Sequence, residues 1–410
     1  MDKENSAVKD TEQENKEQME YSKERSQRIQ RRRQTRLHGI LTRGLILSLV
    51  IAGLLNIFRR DTRFSQAENR MMAQRPRFTL EAVMSGKYMS DFESYVSDQF
   101  FLRNQWISLK LLEDKLLGKR ESNGVYLGKK GYLMEKPDTP DWNRVEKNAQ
   151  AISAFAQRHG DLPVYMCLVP NAFYVMKSKM PAYAPIRDQQ ADISRVMEMT
   201  GGSVRWIDVV RILEEHSEEP LYYKTDHHWK SLGAFYAFQE IAAGMGIPDL
   251  ETEYNVYRVT NTFEGTLSSK SGDHGSLDSI EVYQPKNKTT DYIVTYVEEG
   301  NRSPSVYDSS CLKEKDKYTV FFGGNHARVD IRTTLDQKRN LLIFKDSYAN
   351  CLVPFLLPYY QKIIMVDPRY FYDNVDQLVE NNSITQVLYL YNVNTFLGDA
   401  SLADVLLAEE

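Results

Sequence analysis

Cysteine is scarce in this chain, with three residues in 410, Cys167, Cys311 and Cys351. Their spacing matches no metal-binding knuckle and three thiols cannot build a disulfide framework, which excludes cysteine zinc sites and disulfide-stapled scaffolds. Cys167 and Cys351 sit in apolar runs and read as buried thiols. A positive excess is missing too: the formal net charge is −4, which argues against a general nucleic-acid binder. Histidine is nearly as rare, with seven in all, yet two of them are adjacent. Core material is abundant. Hydrophobic residues make up 42 % of the chain and charged residues 26 %, and the length suggests two or three units.

Residues 1–39 are polar and charged, closing on a basic cluster of Arg25, Arg28, Arg31, Arg32, Arg33 and Arg36. Such a tail lacks the apolar surface to fold alone and is expected to be disordered. Residues 40–58, ILTRGLILSLVIAGLLNIF, carry one charge, Arg43, and are close to the length that crosses a bilayer. The basic cluster precedes the span, which puts the tail in the cytoplasm and everything after it outside. No small-residue cleavage site follows, so the reading is a single-pass transmembrane signal anchor. Residues 59–122 read as an extracytoplasmic linker and helical region, with helical spacing at Phe92, Tyr95 and Val96 and again at Trp106, Leu109, Leu112 and Leu116.

Residues 123–410 read as one α/β domain. After a hairpin at 125–133 and a helix at 142–159, PVYMCLVP (163–170) is a continuously apolar strand, the mark of a strand covered on both faces. VRWIDVV (204–210), LLIF (341–344), IIMV (363–366) and VLYLY (387–391) read as further strands alternating with helices, hence a parallel sheet with ligands at the strands' C-terminal ends. Short alternating stretches at 254–259, 280–283, 292–297 and 318–322 mark a β-rich insertion at about 249–335. Its His274 and His326 read as exposed loop residues.

The chemistry concentrates in KTDHHWKSLGAFYAF (224–238). Asp226, His227 and His228 fall together just before a helix that Thr225 or Asp226 would cap. Two chemistries fit: an imidazole base oriented by Asp226, which needs a nucleophile elsewhere, or a metal held by all three. Ordinary helix-start residues are the plain alternative. KDSYAN (345–350) follows the strand at 341–344 directly and puts Ser347 at a helix N-terminus, where backbone N–H groups stabilise an oxyanion. An N-cap serine is the plain alternative there.

Asp226 to Trp229 and the KDSYAN segment resemble the DHHW family of bacterial cell-surface proteins and, more distantly, the SGNH-hydrolase-like alginate O-acetyltransferase group. The resemblance implies a flavodoxin-like parallel sheet with helices on both faces, circularly permuted because the acid and histidine precede the serine. It implies Ser347 as nucleophile, His228 as general base and Asp226 as its orienting acid. Asn392 or Asn394 would serve on the oxyanion side, and Arg369, His227 and Trp229 would lie against substrate, with no metal and no cofactor. Val366-Asp367-Pro368-Arg369 stands where a hydrolase of that kind carries a glycine. The activity implied is transfer of an acetyl group to a cell-surface polysaccharide from a bacterial membrane anchor. A multi-pass membrane O-acyltransferase would be the donor. A polysaccharide acetylesterase with the same triad and a non-catalytic glycan-binding surface protein are the alternatives.

Overall fold

The computed structural model describes residues 2–58, 60–65 and 70–408, and the chain divides into two compact units. The first unit takes in residues up to 64 and 71–103. A single helix, Asp2–Phe58, runs through it. The stretch 1–39, expected to be disordered, is therefore helical from Asp2. It is rich in Glu, Lys, Gln and Arg, which lose little rotamer freedom in a helix, and no glycine or proline interrupts it before Gly39. Within it, Arg32–Asn56 is long and apolar enough to cross a membrane, and none of that window is buried. Two shorter helices follow, Leu80–Met84, capped by the Thr79 side chain, and Lys87–Asp98. The Gln99 amide then donates to the carbonyls of Thr62 and Ala73, at 2.9 and 3.0 Å.

Ten strands make the main sheet of the second unit and a ribbon beside it: β1 (Val164–Val169), β2 (Arg205–Trp206), β3 (Tyr254–Phe263), β4 (Asp278–Pro285), β5 (Tyr292–Tyr296), β6 (Asn301–Ser303), β7 (Arg328–Thr333), β8 (Asn340–Lys345), β9 (Lys362–Val366) and β10 (Gln386–Asn392). Eight of them form one sheet in the order β6-β5-β7-β9-β8-β10-β1-β2. From β9 to β2 every pairing is parallel. Counted from β8, the parallel strands read 2-1-3-4-5, the flavodoxin order, with β1 and β2 moved to the front of the chain. This is the circular permutation expected from the order of the motifs. β1 and β8 are buried along their whole length, as helices on both faces require. On one side α1 (Trp142–Arg158) packs with α2 (Gln189–Met199) and with the helix Leu402–Leu407. On the other, α3 (Ser231–Gly244) packs with α4 (Ala349–Leu356).

Four local expectations change. The β-rich stretch is partly absorbed into the main sheet: β5, β6 and β7 extend it as an antiparallel edge, while β3 and β4 pair as a separate ribbon. Residues 318–322 are not a strand. Lys317–Val320 is a 3-10 turn, closed because the Asp316 carbonyl accepts from both the Thr319 amide and its hydroxyl. The stretch 204–210 shrinks to β2, because the Asp208 side chain accepts from the Val210 N–H at 2.8 Å and starts the helix Val210–Glu215. Helix α3 begins at Ser231 with Lys230 at its cap position, so neither Thr225 nor Asp226 caps it.

Candidate active site

Asp226 to Trp229 form a buried turn rather than a helix start. The turn is pinned from two sides. Asp278 accepts from the Lys224 and Thr225 amides, at 3.0 and 2.8 Å, and from the Thr225 hydroxyl at 2.7 Å. Tyr222 and Trp229 pair across it as an isolated antiparallel bridge. Freed from capping, the Asp226 carboxylate turns inward and is 1 % exposed. Its Oδ1 accepts from the His228 amide at 3.0 Å and lies 2.6 Å from His228 Nδ1. Its Oδ2 accepts from the Thr266 amide and hydroxyl, at 2.8 and 2.9 Å. Burial pushes this carboxyl up. The neighbouring His227 and His228 rings, the His228 hydrogen bond and the Thr266 N–H outweigh burial and hold it well below the usual carboxylate range.

Gly265 is required by this packing. A Cβ there would fall 2.3 Å from the Asp226 Cβ and 2.5 Å from its Oδ2, closer than any side chain tolerates.

Ser347 arrives from the other half of the sheet. β8 ends at Lys345, and the Asp346 carboxylate accepts from the Tyr348 amide at 2.9 Å and from the Asn392 amide at 2.8 Å. That fixes a sharp turn into α4 and aims the Ser347 hydroxyl at the imidazole. His228 Nε2 lies 2.6 Å from Ser347 Oγ. With Nδ1–H donated to Asp226, Nε2 is left as the acceptor for the serine hydroxyl. Burial, then the neighbouring His227, lowers the His228 imidazole to about 4, so the ring is neutral at neutral pH. The Ser347 N–H has no partner among the described residues. Three groups on two distant stretches of chain thus make one continuous line, carboxylate to imidazole to hydroxyl.

The other residues singled out in the sequence sit as follows. His227 is a third exposed, its Nδ1 2.9 Å from the Thr266 hydroxyl and its ring 3.9 Å from that of His228. Trp229 is fully buried and its indole N–H donates to the Tyr348 carbonyl at 2.9 Å. It braces the serine turn and does not reach a substrate, correcting the expectation for it. Asn392 caps the helix Val393–Gly398. Its Oδ1 accepts from Asn171 Nδ2 at 3.0 Å and its amide nitrogen donates to the Val169 carbonyl at 3.2 Å, which leaves one N–H uncommitted. Asn394 accepts from Gln189 at 3.0 Å and lines a cavity of about 340 Å³ with Arg144 and Thr395. Arg369 is held bidentately by Asp367, at 2.8 and 2.6 Å, and its side chain is 35 % exposed.

Asp226, His227 and His228 offer ligand atoms within 4.8 Å of one another. As folded, both His228 nitrogens and His227 Nδ1 are already engaged, so a metal here would have to break the bonds to Asp226, Ser347 or Thr266. The stray loop histidines differ from each other. His274 pairs with Glu264 at 2.7 Å in an exposed setting. His326 is not an exposed loop residue: it is largely covered, bonded to Glu299 and to the Phe322 carbonyl at 2.7 and 2.9 Å, and packed on Tyr296.

Sequence reasoning missed Tyr318. Its ring stacks on His228 with centroids 3.7 Å apart and 12° between planes, and its hydroxyl donates to the Ser347 carbonyl at 3.0 Å. Its alternating context read as strand, and no local signal marks a ring that stacks on a residue ninety positions earlier. It also missed Thr266, Gly265 and Asp278, which have no motif of their own.

A family model described as DHHW protein matches residues 146–366, more than half of the chain. A DHHW family protein from Eubacterium siraeum is similar in structure, with a TM-score of 0.59 and 25 % identity over 70 % of this chain and 95 % of that one. PatB1 of Bacillus cereus is also similar, at a TM-score of 0.56 and 20 % identity over 67 % of this chain and 98 % of that one in a structure with a sulfonyl adduct. No curated protein matches the chain. By its sequence over 146–366, which contains the Asp-His-His-Trp turn described above, the chain belongs to the DHHW family.

Proposed function

We propose that the protein is a membrane-anchored, extracytoplasmic O-acetyltransferase that esterifies a cell-surface polysaccharide through a seryl acyl-enzyme. The observation that carries this reading is the 2.6 Å approach of Ser347 Oγ to His228 Nε2, continued at 2.6 Å from Nδ1 to Asp226. Both distances are within reach for proton transfer. A serine turned away from the ring would have supported a glycan-binding module instead.

In this mechanism Ser347 Oγ attacks the acetyl carbonyl carbon of a donor ester while His228 Nε2 takes the hydroxyl proton. Asp226 stabilises the imidazolium without taking its proton. The carbonyl oxygen becomes an oxyanion, which the unpartnered Ser347 N–H is proposed to bind, with the uncommitted Asn392 N–H as second donor. Collapse breaks the donor's ester C–O bond, and the departing oxygen takes the proton back from His228. A sugar hydroxyl then attacks the seryl ester, gives its proton to His228 and leaves acetylated as Ser347 recovers it. Water in place of the sugar gives hydrolysis. With the Arg25 to Arg36 cluster on the cytoplasmic side of the apolar helix, this site lies outside the cell, where the acetyl group needs a membrane-embedded donor protein to reach it. The test is to supply a small acetyl ester and a mixture of cell-wall oligosaccharides to the purified full-length protein in detergent. An oligosaccharide heavier by one acetyl group per transfer is the expected product. Free acetate as the sole product, whatever the acceptor, would replace transferase with esterase.

The pH dependence follows from His228. The base must be neutral, and its imidazole is lowered to about 4 by burial and by His227. As pH falls through about 4 the ring is protonated and the base is lost. We therefore expect kcat/KM to rise with pH through about 4 and to be level from there to neutrality, well below the ordinary histidine limb near pH ~6.5. An acid limb at the ordinary position would contradict the buried, stacked setting.

Tyr318 separates two effects. Tyr318→Phe keeps the stack and loses the bond to the Ser347 carbonyl, a net cost of about 1 kcal/mol, so kcat falls by less than roughly tenfold. Tyr318→Ala also opens one face of the imidazole to water. There kcat falls about 100-fold and the acid limb moves up from about 4. An unmoved limb in the alanine variant would show that Tyr318 does not set the imidazole's environment.

A further inference from the structure

A second cavity, of about 640 Å³, opens at the other end of the parallel sheet, where β8, β9 and β10 begin rather than where Ser347 sits. Its lining includes Arg332, Lys338 and Lys362 and no carboxylate, unusual in a chain of net charge −4. Several other cations of this unit have a carboxylate partner: Arg328 has Asp330, Arg369 has Asp367 and Arg187 has Asp192. Arg332 and Lys338 have no bonded partner among the described residues, and Lys362 has only the amide oxygen of Asn382, at 3.1 Å. Asp330, the acid with the strongest hold on Lys362, is occupied bidentately by Arg328 at 2.7 Å on both arms. The crowding registers on Lys362, whose ammonium is pushed down first by burial and then by Arg332.

Asn340 adds a different demand. Its side chain is almost wholly enclosed, at 8 % exposure. Its amide nitrogen donates to the Asn382 and Ser383 carbonyls, at 3.2 and 2.9 Å, but its Oδ1 has no donor. Asn340 lines the same cavity. A bare oxyanion would neutralise the cations and repel that oxygen. A ligand carrying both an anionic group and hydroxyls satisfies both.

We infer that this cavity is a binding site for a phosphorylated sugar, with the phosphate among Arg332, Lys338 and Lys362 and a sugar hydroxyl donating to Asn340 Oδ1. A phosphate brings up to two charges to a lining with three cations, where a carboxylate brings one. The volume lies within the range of small-molecule pockets. The site does not depend on the acyl-transfer reading, since no residue of the Ser347 rim takes part.

The test is isothermal titration calorimetry on the full-length protein in detergent, with glucose 6-phosphate, glucose and inorganic phosphate as probes. Glucose 6-phosphate is expected to bind, glucose not to bind, and inorganic phosphate to bind at least tenfold more weakly. Affinity should fall with added salt. Arg332→Glu with Lys338→Glu should weaken glucose 6-phosphate at least tenfold. Both side chains are exposed and unbonded, so the melting temperature and ester turnover should stay as in the parent. Lys338→Ala serves as a second, milder variant and should weaken binding in the same direction. Ser347→Ala should leave binding unchanged. No binding of glucose 6-phosphate, affinity that survives both variants, or equal affinity for inorganic phosphate would overturn the assignment.

Discussion

Ser347→Ala should lower the turnover of a small acetyl ester by a factor on the order of 10⁴ or more, and His228→Ala by a comparable factor. The hydroxyl and the imidazole act as one unit across 2.6 Å. Either loss alone removes the activated nucleophile, so the double variant should be little worse than either single one. Multiplicative losses would mean that the two groups act independently. Folding is not the confounder. Ser347 Oγ has His228 as its bonded partner, and removing one such bond costs about 1 kcal/mol, so the melting temperature of Ser347→Ala should move by a few degrees at most. A metal chelator should leave the parent's rate unchanged. A rate that survives Ser347→Ala but collapses with chelator would transfer the chemistry to a metal at Asp226, His227 and His228.

The sequence carried the sheet better than the site's walls. Continuously apolar runs at 163–170, 341–344, 363–366 and 387–391 became β1, β8, β9 and β10, because a strand buried on both faces must be apolar at every position. Motif order carried the permutation, since Asp226 and His228 could precede Ser347 only if β1 and β2 were moved ahead of β8. What failed was decided by single polar side chains. Asp208 turned an apolar strand pattern into a helix start, and Asp226 gave up a cap for an inward contact. Neither outcome is visible in a hydrophobic period. The walls of the site were the least legible part. Gly265, Thr266 and Tyr318 come from 3-10, loop and short-helix segments whose only distinction is what they touch.

Asp226→Asn should cost nearly as much as losing the serine, about 10³- to 10⁴-fold in kcat, and the reason lies in its four bonds. As a carboxylate it accepts on both oxygens: Oδ1 from the His228 amide and ring, Oδ2 from the Thr266 amide and hydroxyl. An asparagine has one oxygen and one NH₂ group. If the NH₂ group takes the Oδ1 side, it faces the His228 backbone N–H at 3.0 Å and donates to Nδ1. That forces the proton onto Nε2 and removes the acceptor that Ser347 needs. If it takes the Oδ2 side, it faces the Thr266 backbone N–H at 2.8 Å. Two backbone donors cannot turn away, so each orientation buries a donor against a donor, at a cost of about 1–3 kcal/mol. The variant should therefore lose both activity and stability, unlike Ser347→Ala, which should lose activity alone. Melting curves set beside ester turnover would separate the two variants. An asparagine variant as stable and as active as the parent would mean that Asp226 neither sets the tautomer of His228 nor holds the turn to Thr266.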